Sequence, residues 1–391
     1  MILLQKKKAK KVLCVFPGDC LKTFYSKGEV KQRYYNPQNF FDEVHFITFC
    51  DRDVEPDKVK GIAGNAKVFV HAVGRLKPWS IWTDAGRIAS VVQKINPGAI
   101  RAYSTSAQGF MAAFAAKKLG IPFVVSLHTN PEMDGRRLSF KLGWWKNWLS
   151  FEYNGLFTEK FVLRTARKVV CVYKFAEQYA LGKGVPREKT EVIYNKVYAK
   201  NYESVKPALK LSKPAVLFVG RLIPGKSPES LIRALPSLDV FLVMVGDGPL
   251  KEEMLQLSEQ LGVRNKIIHC PSIPNKDLPT YFKSAKVFAL PIDYGGVAIP
   301  VIEAMAAGVP VVVSKPLLGS EAELSQDVGL VVKNNPQAFA NAIGRLLADR
   351  KLYGKLKRKG LEKFSELDGS KMELREAQLY ERILNDGEKA K

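Results

Sequence analysis

No run of about 18 apolar residues occurs in this 391-residue chain, which excludes a membrane-spanning helix. Histidine is scarce: there are 4, and none cluster at metal-ligand spacing. The 5 cysteines (Cys14, Cys20, Cys50, Cys171, Cys270) are odd in number and form no CxxC pair. They read as reduced, mostly buried side chains of a cytosolic protein, with Cys14, Cys171 and Cys270 in or beside apolar runs. No paired carboxylates, Ser/His/Asp ordering or Walker pattern emerges, so nothing supports a hydrolase or a kinase. Acidic residues are short as well, 38 against 61 Lys and Arg, a net charge of +23. That excess calls for an anionic partner: nucleic acid, an acidic membrane surface or phosphorylated small molecules. The N-terminal lysines (Lys6, Lys7, Lys8, Lys10, Lys11) precede only a strand-length apolar run without a cleavage-type segment, so no signal peptide is expected.

What is present is enough apolar surface, 46% of residues, for two cores of ordinary size. Short β-rich runs alternate with helical patterns. Strands are expected at Val12–Phe16, Val44–Phe49, Val68–Val70, Ala99–Ala102, Phe123–Ser126, Val169–Val172 and Glu191–Ile193. A second series follows at Val216–Val219, Val240–Val245, Ile267–His269, Val287–Leu290, Pro310–Val313 and Leu330–Val332. Helical patterns such as Gln108–Leu119, Lys174–Gly182, Leu250–Leu261 and Pro336–Ala348 lie between them. This alternation predicts an α/β protein of two doubly wound, Rossmann-like domains facing across a cleft. The divisions fall at 1–198, 199–364 and 365–391. The last piece is a polar helix pattern with Leu374, Leu379, Tyr380 and Ile383, expected to pack back on the first domain.

The most informative stretch is Val216 to Val313, with three strand-to-loop-to-helix junctions. In the first, the run Val216–Val219 stops at Gly220, and Arg221 and Lys226 flank a Pro/Gly loop before a helix. In the second, Gly246-Asp247-Gly248-Pro249 follows a strand. The third, Tyr294-Gly295-Gly296, precedes a helix carrying Glu303. Glycines let backbone N–H groups approach an anion, helix N-termini favour negative charge, and Arg and Lys neutralise it. Two cations and a glycine-rich helix start suggest a diphosphate. Glu303, among small apolar neighbours, wants a partner that a ribose diol would supply. His128 follows the strand Phe123–Ser126 at its carboxyl end, where ligands of open α/β sheets bind, and suits proton handling or hydroxyl binding. Gly18, after Val12–Phe16, is either a close-approach point or an ordinary turn. Arg136–Lys168 is basic, carries Trp144, Trp145 and Trp148, and reads either as a membrane-interface segment or as core and cleft cover.

These motifs resemble the retaining glycosyltransferases of family 4, which have the GT-B fold. Phe218-Val219-Gly220-Arg221-Leu222 with Lys226 is similar to the family's diphosphate loop, and Val245–Pro249 to its glycine turn. Pro300–Val312, which contains Glu303, is similar to its most specific block, and Val192–Val197 to the end of its N-terminal domain. The resemblance implies that Arg221 and Lys226 hold the donor diphosphate and that Glu303 binds ribose hydroxyls. It also implies that Gly295, Gly296, Val297 and Ala298 face the phosphates or the donor sugar, and that the segment around Ile273 lies near the base. His128 occupies a family-like active-site position. It further implies a nucleotide-diphosphate sugar as substrate, no metal or other cofactor, and a glycan or lipid-linked acceptor. With the +23 charge, it places the protein in the cytoplasm, with an anionic membrane surface as a candidate partner through Arg136–Lys168 and nucleic acid not expected. One position departs from the pattern. The family has two glutamates eight positions apart, and the position eight before Glu303 is Gly295; Asp293 could substitute only if the loop is shifted. An epimerase on the same scaffold, or a catalytically impaired nucleotide- or nucleic-acid-binding protein, remain the alternatives.

Overall fold

The computed structural model describes residues 10–76, 80–128, 157–293, 298–315 and 324–389. Gly295, Gly296 and Val297, and residues 136–156 of the basic tryptophan segment, lie outside the described residues. Two wholly parallel sheets form the core. The first contains β1 (Val12–Phe16), β2 (Glu43–Thr48), β3 (Lys67–Ala72), β4 (Ala99–Ala102), β5 (Phe123–Leu127), β6 (Lys168–Cys171) and β7 (Thr190–Val192), in the order β3-β2-β1-β4-β5-β6-β7. The second contains β8 (Ala215–Val219), β9 (Phe241–Val245), β10 (Ile267–Cys270), β11 (Val287–Leu290), β12 (Val311–Ser314) and β13 (Leu330–Val332), in the order β10-β9-β8-β11-β12-β13.

The central strands are buried on both faces, which is why they read as continuous apolar runs rather than alternating ones; β4, β5, β11 and β12 have no exposed position. Helices cover the sheets. Ala107–Leu119 buries seven of its residues and stops at Gly120 in the left-handed conformation. Pro336–Ala348 starts where the Asn335 side chain accepts from the Ala338 N–H at 2.8 Å, with Pro336 at the first helical position. Strand order reverses between β1 and β4 in one sheet and between β8 and β11 in the other. The carboxyl ends flanking those reversals are where an open α/β sheet forms its crevice.

The chain leaves the first sheet near residue 199 and returns to it after the second. The sequence pattern runs one helix over Leu352–Phe364 and a polar tail from Ser365, but the helix in fact spans Arg350–Leu367 and the next begins at Gly369. Asp368 makes the break. It has non-helical backbone (ψ 136), and its carboxylate accepts from the N–H groups of Ser370 and Ala199. Gly369 lies against the Tyr198 ring, where a Cβ would come within 2.9 Å of a ring carbon. The final helix, Gly369–Lys389, lies on first-sheet elements, against Pro37–Asn39.

The cysteines are not all scattered core residues. Cys20 and Cys50, thirty positions apart, meet beside Asp53, their side-chain ligand atoms all within 4.8 Å of one another. The Asp53 carboxylate is occupied by the N–H groups of Leu21, Lys22 and Val54, so it caps the helix Leu21–Ser26 rather than waiting for an ion.

Candidate functional site

The loop after β8 is fixed from below by one buried side chain, Leu222. Its N–H donates to the Asp247 carbonyl (2.9 Å) and its carbonyl accepts from Leu250 N–H (3.1 Å), which ties the loop to the glycine turn after β9. Gly246 is required there. Its φ is +140, and a Cβ would run into the Gly220 carbonyl oxygen, so no other residue lets the two loops meet. Beneath it, His269 Nε2 lies 2.8 Å from the Gly246 carbonyl. A carbonyl only accepts, so Nε2 carries the proton. This anchoring presents Arg221 exposed and Lys226 partly buried, with the Lys226 stem passing over Gly220. Arg221 makes no ion pair among the described residues.

Asp293, at the end of β11, joins the same loop. Its N–H donates to the Gly225 carbonyl (2.9 Å), while its Oδ1 accepts from Asn334 Nδ2 (2.7 Å) and from Ser227 Oγ (3.4 Å). Ser227 is a non-glycine residue at φ +43, a conformation that needs support of this kind. Asp293 is therefore a brace for the cationic loop, and the position eight before Glu303 is left without a carboxylate. Ala298 precedes the helix Ile299–Ala306, whose first turn contains no acidic residue, so the positive end of that helix is not cancelled.

Glu303 is not a solvated helix charge. Burial pushes its pKa up, opposed by the positive charge of Lys31 from the first domain and by a hydrogen bond from the Tyr202 hydroxyl. Tyr202 is itself buried, and its ring meets Phe282 edge-on at 6.3 Å. Ile273 is partly buried in the loop after β10, and Gly18 is exposed after β1, with no partner closer to a Cβ there than the Tyr103 carbonyl at 3.8 Å.

His128 follows β5 directly. Its carbonyl accepts from the Tyr173 hydroxyl at 3.1 Å, its ring tilts over Tyr103 at 5.4 Å, and its Nε2 is buried without a hydrogen-bond partner among the described residues. Burial first, and the Arg101 charge second, lower its pKa to about 4, so the imidazole is neutral at pH 7. Of the two roles its sequence position left open, a neutral ring suits hydroxyl binding rather than near-neutral proton handling.

Behind His128 lies a network that the sequence reading missed. Arg101, buried in β4, donates to Ser126 Oγ (2.9 Å) and Tyr380 Oη (3.0 Å) and pairs with Glu376 (2.9 Å). Lys196 pairs with the other oxygen of Glu376 at 2.6 Å. One turn away Glu373, wholly buried, pairs with Arg33 at 3.0 Å and accepts from Gln38 N–H. A cavity of about 30 Å³, water-sized, lies among Tyr34, Arg101, Tyr103, His128, Lys196 and Glu376. A charged residue inside the otherwise apolar run Ala99–Ala102 was the available signal for Arg101. Glu373 and Glu376 sit in a polar helix and gave none.

The structure thus brings Arg221, Lys226, Gly246 and Asp293 into one assembly. It places Ala298 just before the adjoining helix and Glu303 on it, and His128 on the other sheet among Arg101, Tyr103, Tyr173 and Glu376.

Comparison with known proteins bears on the whole arrangement. The sequence matches the description "Glycosyl transferases group 1" over residues 200–363 and "Glycosyltransferase Family 4" over residues 41–199. It is 37% identical over 150 residues to a GDP-mannose-dependent alpha-(1-6)-phosphatidylinositol monomannoside mannosyltransferase of Mycolicibacterium smegmatis, covering 35% of this chain and 39% of that protein. The chain therefore aligns with less than half the length of that relative. A second similarity, 24% identity over 351 residues, covers 87% of this chain and 90% of an uncharacterized glycosyltransferase of Methanocaldococcus jannaschii. Among solved structures, a glycosyltransferase from Rickettsia africae superposes with a TM-score of 0.73 at 18% identity, covering 96% of this chain and 99% of that one. The Anabaena protein HepE, solved with UDP, gives 0.71 at 19% identity over 95% of this chain and 100% of that one. At such identities the structural likeness speaks for the fold: two Rossmann-like domains arranged as in GT-B glycosyltransferases.

Proposed function

Because the chain belongs to the family 4, group 1 glycosyltransferases, we propose that it transfers a sugar from a nucleoside-diphosphate sugar to an acceptor with retention of configuration. The observation that carries this is the loop after β8: two cations held over a carbonyl-packed glycine turn and braced by Asp293, next to a helix start free of acids. Arg221 and Lys226 hold the diphosphate and stabilise it as the leaving group, and the amides at Ala298 assist. With that charge neutralised by side chains and a helix end, the reaction proceeds without a metal. Glu303 accepts from the ribose hydroxyls, in exchange for water it has already lost. His128, neutral and with no partner for Nε2 among the described residues, binds a hydroxyl of the transferred sugar.

The relatives extend the reading to partners. HepE is solved with UDP, and the mycobacterial relative is described as using GDP-mannose and a phosphatidylinositol mannoside acceptor. A lipid-linked acceptor at an anionic membrane surface on the cytoplasmic side suits the +23 charge of this chain. The test is a panel of nucleoside diphosphates read by thermal shift, followed by incubation of the stabilising nucleotide's sugar conjugates with acceptor extracts. Stabilisation by one nucleotide, release of that diphosphate and an unchanged anomeric configuration in the product are expected. Equal stabilisation by oligonucleotides, or a sugar epimerised but never transferred, would overturn the assignment.

A further inference from the structure

On the first domain, the helices Ala107–Leu119 and Glu159–Thr165 pack together and leave an open groove of about 620 Å³. Lys117, Lys160 and Arg164 line it together with Ile121, Phe157 and Phe161. Among the described residues that line it there is no acid. Glu159, next to Lys160 in sequence, is turned inward, where its carboxylate accepts from the Tyr179 hydroxyl at 2.8 Å, and Lys117, Lys160 and Arg164 make no ion pair among the described residues.

The aromatics on this face are unusual. Trp82 is 69% exposed and Phe157 62%, the two most exposed large hydrophobics among the described residues, the next being Leu374 at 50%. Trp82 meets the buried Phe110 edge-on at 5.5 Å, Phe110 lies 5.2 Å from Phe161, which lines the groove with Phe157, and Lys117 stands over Phe161 at 5.5 Å. Exposed aromatics beside cations match the boundary between lipid headgroups and acyl chains, where the rings gain an apolar environment and the cations meet phosphates. A polynucleotide or an acidic peptide would satisfy the cations but leave Trp82 and Phe157 in water.

We propose that this groove is a docking site for an anionic phospholipid bilayer, with Lys117, Lys160 and Arg164 on headgroup phosphates and Phe157 and Trp82 entering the acyl boundary. The proposal rests on the glycosyltransferase reading only for its purpose, bringing the active site to a lipid-linked acceptor. The binding itself is independent of it.

The full chain is sedimented with vesicles of phosphatidylcholine alone or with about one-third phosphatidylglycerol, at low and high salt. Binding to the anionic vesicles only, weakened by salt, is expected. Lys117→Glu with Lys160→Glu and Arg164→Glu should weaken it on the order of a hundredfold, from about fivefold per cation. Phe157→Ser with Trp82→Ser should weaken it by about tenfold at both salt concentrations. Both variants should keep the parent's melting temperature and nucleoside-diphosphate binding. Equal binding to neutral vesicles, or a triple variant that binds like the parent, would overturn the proposal, the second result assigning the binding to another segment. So would tighter binding to polynucleotide or acidic peptide than to the vesicles. Because nucleotide binding is read separately, failure of the docking site leaves the transferase reading standing, and the reverse also holds.

Discussion

The two sheets hold their cations in opposite ways. At the end of β8, Arg221 is exposed with no ion pair among the described residues, and its loop is assembled by backbone hydrogen bonds and glycines. Beneath His128, Arg101 is buried and Lys196 mostly so, and each is paired to Glu376, which arrives from the far end of the chain. An exposed cation held by a rigid loop can neutralise a ligand. A buried one, already neutralised, can only shape its surroundings. Beneath His128 the Arg101 charge adds to burial, the larger cause, in keeping the imidazole neutral, while the Arg221 guanidinium at the end of β8 faces outward.

Removing one cation from each side separates those roles. Lys226→Ala should lower kcat/KM by about 10²–10³-fold with little change in melting temperature, the loss typical of one oxyanion-stabilising donor. Near-normal transfer in that variant would sink the assignment. Glu376→Ala should do the reverse. It leaves Arg101 and Lys196 as uncompensated buried charges and should cost about 3–5 kcal/mol of stability. A variant with an unchanged denaturation midpoint would show that water already screens the pair. Gly246→Ala stands between these two, since strain at positive φ and the clash with the Gly220 carbonyl would cost about 1–3 kcal/mol and also displace the cationic loop. Loss of stability without loss of donor binding would separate the turn from the site.

The same contrast explains what was legible in the sequence. The central strands of both sheets were readable because fully buried parallel strands are apolar runs bounded by turns, and the edge strands β3, β7 and β13, which have no buried position, were readable from short β-branched runs. The loop after β8 was readable because its chemistry lies within a few residues and glycine is compulsory at its contacts. The network behind His128 was not readable. Its parts come from residues 33, 101, 196, 373 and 376, and a buried Glu on a helix has the same local pattern as a solvated one. Asp293 was considered as a replacement carboxylate because its position is only two residues off, and only its hydrogen bonds to Asn334 and Ser227 show it serving the loop instead. The helix break at Asp368 was expected a few residues early, at 364/365, for a related reason, since its cause is a contact with Tyr198 and Ala199.

Acid should separate two buried groups of the first sheet as well. His128 has a folded pKa of about 4 against an ordinary 6.5, so the unfolded chain binds the extra proton first. Its neutral burial costs nothing extra above pH 6.5, and stability falls as pH drops from 6.5 towards 4, by about 3 kcal/mol in full. Glu376 is held below the usual carboxylate range despite its burial, by Lys196 and Arg101, so its contribution persists to lower pH and is lost only as pH falls through that lowered value. Urea midpoints of the parent and His128→Asn, taken between pH 4 and 7, should differ in slope in the upper window. Parallel curves would mean that His128 is solvated.

The smallest expected effect lies at Tyr202, where the chain crosses between the domains. Burial raises the Glu303 pKa, and the Tyr202 hydroxyl opposes that rise by donating to the carboxylate. In Tyr202→Phe the ring packing on Phe282 is kept and only the hydroxyl is lost, worth about 1–2 kcal/mol for a hydrogen bond to a charged group. Glu303 then titrates higher, so a larger share is protonated and unable to accept from two ribose hydroxyls at once. The donor KM should rise several-fold, more at pH 6 than at pH 8, while kcat is unchanged, because the ribose is bound alike in ground and transition states. An equal KM at both pH values would reduce Tyr202 to packing, and a fall in kcat would move Glu303 from ribose binding to the reacting end of the donor.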